Sequence, residues 1–194
     1  MKQQKKSFRM VELNDFIKIY DDSVDEYVCD YLVDYFEKST NIQVKVENER
    51  RPNFTEINLT ENSKQNEEIT NIHKYFIQKT FEYRNTYYEF IDKRCFPEEH
   101  NFEQFRIKRY IPNENEAFDT HVDVSDYESA RRFLSFLWYL NDVETGGETQ
   151  FRDLTIKPKK ARLIVFPPLW TFPHKGLEPI SNSKYILSTY LHYK

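Results

Sequence analysis

The sequence predicts an α+β fold: a sheet sandwich or barrel with helices bracing one face. Three observations carry this expectation. Apolar residues recur at helical spacing in the first half of the chain. After Pro97 they alternate with the period of a strand. Aromatic residues make up 16% of the chain, mostly Phe and Tyr, which suits a sheet core and a pocket with stacking faces. The 194 residues fit one domain with a substantial core. Residues from about 1 to 97 read as a helical support region and those from about 98 to 194 as the β-rich part.

The first helix is expected in DDSVDEYVCDYLVDYFEKS. There Val24, Tyr27, Val28, Tyr31, Leu32, Tyr35 and Phe36 repeat the i, i+3, i+4 stripe. Ser23 and Glu26 have capping-box spacing at its start. VKVENERRPN reads as a charged connector, and RPNFTEINLTENS as a short strand followed by a polar turn. A second helix is expected from about Gln65 to Ile91, with Ile69, Ile72, Phe76, Tyr83, Tyr87 and Phe90 along one side. FEQFRIKRYI, RRFLSFLWYLNDV, KARLIVFPP and KYILSTYLHY then read as strands. The chain has only three glycines, Gly146, Gly147 and Gly176, all in the β half. Each is expected where φ is positive or a backbone comes close.

Net charge is −4 and the pI about 5.8, which argues against a nucleic-acid or anionic-membrane partner. The opening MKQQKKSFRM is basic but no apolar run follows, so it does not read as a secretory signal, and no apolar run reaches membrane-spanning length. Cys29 and Cys95 have no metal-type spacing; two reduced, buried thiols in a cytoplasmic protein are expected ahead of the alternative, a disulfide between them. The Lys-, Asn- and Ile-rich composition points to an AT-rich genome, microbial or viral, and for a virus to the host cytoplasm.

Chemistry enters with DTHVDVSD. On a strand, His121 and Asp123 project to the same side. They form either a surface hydrogen-bonded pair or two-thirds of a metal site. Of the other histidines, His73 falls inside a helix, His100 in a loop and His192 at the end of the chain. His174 instead follows ARLIVFPPLWTFP, a strand ending in a proline turn, and a strand returning across a jelly roll would bring it beside His121. Two imidazoles and one carboxylate on one face can hold non-heme Fe(II) with its opposite face open. Ten residues beyond His174, Lys184 shares strand parity with Ile186, Ser188 and Tyr190. Facing inward, it would need an anion such as the distal carboxylate of 2-oxoglutarate. With the alternation reversed, it would face solvent.

The ordered set RIKRY, HVD, YLNDVETGGETQF, PKKARLIVFPP, HKG and KYILSTYL resembles the catalytic domain of the prolyl 4-hydroxylases, among the 2-oxoglutarate- and Fe(II)-dependent oxygenases. The resemblance runs from about Phe105 to the C-terminus. It implies a double-stranded β-helix (jelly roll, cupin-like) with the N-terminal helices packed on the major sheet. It also implies that His121, Asp123 and His174 are the catalytic iron ligands, that Lys184 holds the distal carboxylate, and that Tyr110 and Thr149 line the 2-oxoglutarate pocket. Fe(II), 2-oxoglutarate as co-substrate and O2 follow from it, with ascorbate as an accompanying reductant. The implied partner is a proline-containing peptide or protein, and the chain is expected as a monomer or homodimer. Three features depart from the family. Asn182 replaces a glycine; Asn is among the residues that best tolerate the left-handed region, so the turn can survive. Tyr190 replaces a tryptophan. IPNENEAFDT is long, and Tyr110 shares parity with Arg106 and Lys108, so that face opens into a polar cleft or Tyr110 turns away.

The implied reaction is hydroxylation of an unactivated C–H bond, first of a peptidyl proline. A free amino acid, small molecule or other residue is the second substrate class. A non-catalytic jelly-roll module that binds sugar or peptide is the rival of a different kind. Arg162 is read as a cofactor contact or a surface residue, and Trp138, Trp170, Tyr127 and Tyr139 as core residues before groove residues.

Overall fold

The computed structural model describes residues 13–48 and 52–194. Its first half contains β1 (Lys18–Tyr20), α1 (Glu26–Lys38), β2 (Val44–Val46), β3 (Phe54–Asn58), α2 (Leu59–Asn62) and α3 (Glu67–Phe90). The second half contains β4 (His100–Phe102), β5 (Arg106–Tyr110), β6 (Phe118–His121), β7 (Arg132–Tyr139), β8 (Thr149–Phe151), β9 (Thr155–Ile156), β10 (Leu163–Phe166), β11 (His174–Gly176) and β12 (Lys184–Tyr193).

These strands form two antiparallel sheets that fit a jelly roll. The large sheet has eight strands in the order β1-β10-β7-β12-β5-β3-β2, with β4 also paired to β12. The small sheet has the order β6-β11-β8-β9. Strand β12 is the axis of the large sheet. Its ten residues alternate so that Tyr185, Leu187 and Leu191 join one apolar cluster while Ile186 joins another. The first cluster combines Val28, Leu32 and Phe36 of α1 and Ile69, Phe76 and Tyr87 of α3 with Leu134, Phe136 and Trp138 of β7. The Phe76 ring meets Trp138 edge-on at 5.3 Å, and Phe36 meets Tyr185 at 5.8 Å. Fully burying one such side chain stabilises the fold by about 1.5–3 kcal/mol. The second cluster, with Tyr110, Tyr139, Phe151, Ile164 and Phe166, draws on both sheets.

Several local expectations need correction. Helix α1 begins after Asp25, and Ser23 caps nothing: its buried hydroxyl donates to the Ala161 carbonyl at 2.7 Å. The Ser23 amide donates to the same carbonyl at 2.9 Å, anchoring the segment to the loop before β10. Helix α3 is capped by Asn66, whose side chain accepts from the Glu68 and Ile69 amides. The connector VKV is instead edge strand β2, and the turn after β3 winds into α2, capped by Asn58. Residues 49–51 of that connector lie outside the described residues, as does MKQQKKSFRM. The helical first half therefore also supplies three strands to the large sheet. Cys29 is buried, where desolvation raises its pKa to about 12, but Cys95 is exposed; both are free thiols.

Candidate metal centre

The two imidazoles are brought together by strand pairing. His174 opens β11 directly opposite His121, the last residue of β6, and the Cα register pairs them. Their ring centroids are 4.3 Å apart. Asp123 lies two residues past β6, and its place is set by backbone anchors. The Arg132 guanidinium donates to its carbonyl at 2.7 Å. Next to it, the Val124 amide donates to the Pro168 carbonyl at 3.1 Å, tying the loop after Asp123 to the loop that leads into His174. Residues more than 50 positions apart thus form one rim.

The donor atoms converge. His121 Nε2 is 3.4 Å from Asp123 Oδ1, and His174 Nε2 is 3.7 Å from Asp123 Oδ2. One ligand atom from each residue lies within 4.8 Å of the others. The opposite ring nitrogens face acceptors: His121 Nδ1 is 2.7 Å from the Asp119 carbonyl, and His174 Nδ1 is 3.1 Å from the Phe172 carbonyl. A carbonyl can only accept, so Nδ1 carries the proton and Nε2 is the atom left to bind a cation. Phe118 stacks on His121 at 3.5 Å, and Phe166 meets His174 edge-on at 4.9 Å, which fixes both ring planes.

Electrostatics suit a cation at this rim. Burial holds the His174 pKa below its ordinary value, keeping a neutral imidazole. Burial works against ionisation of Asp123, but its hydrogen bond with His121 and the fields of His174, His121 and Lys108 outweigh that and lower its pKa.

The cavity beneath the rim is lined by Lys108, Tyr110, Thr149, Gly176, Lys184, Ile186 and Ser188, among others. Lys184 is only 2% exposed. Its Nζ donates to the Gly147 carbonyl at 3.0 Å and lies 4.5 Å from the centre of the Tyr110 ring. Among the described residues no carboxylate pairs with it. Desolvation pushes its pKa down to about 7, opposed only by the field of Glu148. A buried ammonium without an anion is a costly arrangement that a ligand carboxylate would relieve. A Cβ at Gly176 would stand in ordinary contact with Lys184 Nζ, at 3.5 Å. At Gly146, φ is +77° and a Cβ would meet the Glu178 carbonyl at 2.5 Å, so the hairpin needs glycine. Tyr139 donates to Thr149 Oγ1 at 2.5 Å, orienting that hydroxyl in the wall.

The structure therefore brings together His121, Asp123, His174, Lys184, Tyr110 and Thr149. It resolves the parity of RIKRY in favour of a polar cleft, since Tyr110 and Lys108 both face the cavity. The long IPNENEAFDT segment closes tightly: Glu116 is buried and accepts from the Ile111 amide at 2.7 Å, while Asn113 and Asn115 take positive φ. Asn182 is not in the left-handed region. Its side chain instead donates to the Asp142 carbonyl at 2.9 Å, closing the turn by hydrogen bonding. Arg162 points away and is bound to Asp21, Nε to Oδ1 at 2.6 Å. Trp138 and Tyr139 are buried, but Trp170 is 79% and Tyr127 90% exposed, so neither is a core residue. His73 packs on Phe105, and His100 and His192 lie away from the cavity lining. Sequence reasoning missed Phe118 and Phe166, whose support of the imidazoles has no local sequence signature.

The sequence model of the 2OG-Fe(II) oxygenase superfamily matches residues 105–192. A probable prolyl 4-hydroxylase of Arabidopsis thaliana is 46% identical over 54 residues, a stretch covering 25% of this chain and 18% of the plant protein. This chain thus spans only a small part of that relative's length. Among solved structures, the viral collagen prolyl hydroxylase of Paramecium bursaria Chlorella virus-1, in complex with 2-oxoglutarate, superposes with a TM-score of 0.65 at 23% identity, covering 92% of this chain and 96% of that one. A Pseudomonas putida prolyl 4-hydroxylase gives a TM-score of 0.69 at 16% identity, over 92% and 93% of the two chains. A Trichoplax adhaerens prolyl hydroxylase in complex with a hypoxia-inducible-factor peptide gives 0.71 at 14%, over 91% and 83%. At these identities the superpositions establish the fold.

Proposed function

We propose, from the match of residues 105–192 to the 2OG-Fe(II) oxygenase model, that this chain is an oxygenase of that superfamily and hydroxylates a C–H bond of proline within a peptide or protein. The observation that carries this reading is one cavity with two complementary ends. A rim of two imidazoles and one carboxylate is matched to a cation, and a buried ammonium without an anion waits at the far side. The proline-hydroxylating relatives support the substrate class.

The donor set fits Fe(II): borderline imidazole nitrogens, one hard carboxylate oxygen and no thiolate. His121 Nε2, Asp123 and His174 Nε2 would hold the ion, and Lys184 would take the distal carboxylate of 2-oxoglutarate. When bound, the metal, with 2-oxoglutarate and O2, supplies the oxidising power that replaces a C–H hydrogen by hydroxyl as 2-oxoglutarate becomes succinate and CO2. The chain does the rest. The Asp119 and Phe172 carbonyls hold the Nδ1 protons. Tyr110, Ile186 and Thr149 shape the pocket and exclude water. Tyr110 also shields the Lys184 ammonium from solvent. The helices α1 and α3 serve as a brace on the outer face of the large sheet, so that 13–97 supports and 98–194 reacts within one unit.

The test is to mix purified protein, Fe(II), 2-oxoglutarate and ascorbate with Pro-rich peptides. Succinate release and a peptide mass gain of one oxygen atom are expected. A gain on free amino acids and on no proline peptide would replace the substrate class. Failure to bind either Fe(II) or 2-oxoglutarate would leave a binding module.

A further inference from the structure

A second cationic side chain lines the cavity, and the functional reading above gives it no part in holding iron or 2-oxoglutarate. Lys108 of β5 stands two residues from Tyr110 on the same face, about 7 Å nearer the mouth. It lines both the inner cavity and an outer cleft of about 320 Å³ that opens beside His121 and Asp123. Across the sheet it pairs with Ile186 on β12 and Glu56 on β3.

The other cations of this cleft are already engaged. Arg106 is paired with Glu56, and Arg132 binds both oxygens of Glu103, at 2.6 and 2.9 Å. Lys108 has neither an ion pair nor a hydrogen bond at Nζ among the described residues. Its close partner is the Phe54 ring, 5.1 Å away at the centre. Burial holds its pKa below the ordinary lysine value; the fields of Glu56 and Asp123 oppose this and those of Arg106 and Arg132 add to it, so a further carboxylate beside it would favour the charged form. Glu56 serves Arg106, and Asp123 turns its two oxygens toward the imidazoles. In the functional reading above, the metal would take one carboxylate of 2-oxoglutarate and Lys184 the other. The unmet ammonium therefore belongs to the third component of the reaction.

We propose that Lys108 is a specificity-determining residue that binds a carboxylate on the substrate close to the carbon that is oxidised. The substrate is accordingly acidic beside its target residue. The carboxylate belongs either to an Asp or Glu side chain next to the target or to a free chain end; the chemistry recognised is the same. This inference rests on the functional reading above. It goes beyond it in naming the charge of the substrate.

The test uses binding without turnover. The protein is loaded with Mn(II) and 2-oxoglutarate under nitrogen, and 2-oxoglutarate binding is first verified by calorimetry. Fluorescent peptides that differ only after a central proline, carrying Asp, Asn or Lys with amidated ends, are then titrated in. A fourth peptide ends at the proline with a free carboxylate. The Asp peptide is expected to bind roughly 10- to 100-fold more tightly than the Asn peptide, the range for a hydrogen bond to a charged partner. Preference for the fourth peptide alone would assign the site to a chain end. Lys108→Met should reduce the Asp-to-Asn ratio to near one, and Lys108→Arg should keep it, which separates lost charge from lost folding. Equal binding of all four peptides, no binding of any, or a ratio that survives in Lys108→Met would overturn the proposal. Failure of 2-oxoglutarate to bind at the outset would instead sink the functional reading itself.

Discussion

The two sheets divide the work in different ways. The large sheet is built on β12, ten residues with apolar clusters on both faces, and it positions Lys184, Tyr110 and Lys108 as regular members of long ladders. The small sheet consists of strands of two to four residues, and its functional residues stand at or beyond their ends. His121 closes β6, His174 opens β11, and Asp123 is past the strand altogether. Side chains on the large sheet are therefore held by packing, which a point change disturbs mainly through stability. Those on the small sheet are held by single hydrogen bonds, ring stacks and their neighbours' donors. The cavity exists because a rigid wall faces a rim tuned for a ligand.

That contrast can be broken in order of expected effect. Phe76→Ala removes a ring packed against Trp138 on the outer face of the large sheet. It should lower stability by about 3–5 kcal/mol in chemical denaturation, while leaving metal affinity of the folded protein within a few-fold of wild type. His174→Ala should do the reverse. Fe(II) affinity should fall by more than the roughly 100-fold that changes behind a ligand cost, with little change in the denaturation midpoint of the metal-free protein. If both variants lose stability and metal binding together, the division between the sheets is wrong.

A sharper probe lies at Lys184, where the rigid wall carries charge. Lys184→Ala should keep the metal and weaken 2-oxoglutarate by roughly 30- to 150-fold, about 2–3 kcal/mol, followed by calorimetry. The pH dependence has a definite sign. The folded-state pKa of about 7 lies below the ordinary lysine value, so between pH 7 and about 10.4 the unfolded chain holds the extra proton. Stability of the ligand-free protein from this group should rise with pH through that window and be flat below it. Affinity for 2-oxoglutarate should move oppositely, weakening toward tenfold per unit above pH 7 as the ammonium is lost. Lys184→Ala should abolish that slope.

How much of this was legible varied with the physical origin of each feature. Helices α1 and α3 were readable because their stripes follow a local period, yet the start of α1 was not. Ser23 has the spacing of a cap, but its hydroxyl is claimed by Ala161, 138 residues away. Strands β5, β7, β10 and β12 announced themselves by alternation. β1, β2 and β9 did not, because two or three residues carry no period and pair only where a neighbour presents an edge. Trp170 and Tyr127 looked like core residues by type, and their exposure was decided by the loops that carry them. Lys108 was visible as a parity partner of Tyr110, but its lack of an anion was not.

The sequence by itself determined the chemistry available: two imidazoles, a carboxylate and a lysine in order along the chain, with the strand periods and the glycines that let backbones approach. Tertiary structure alone decided which of them meet. It paired His174 with His121 in one register, turned Lys184 into a buried cavity, and left Lys108 unmatched at its mouth. The reason is physical. Donor type and period are properties of single residues and short runs. Burial and charge pairing are properties of the space between distant segments, and that space exists only once the sheets have closed on each other.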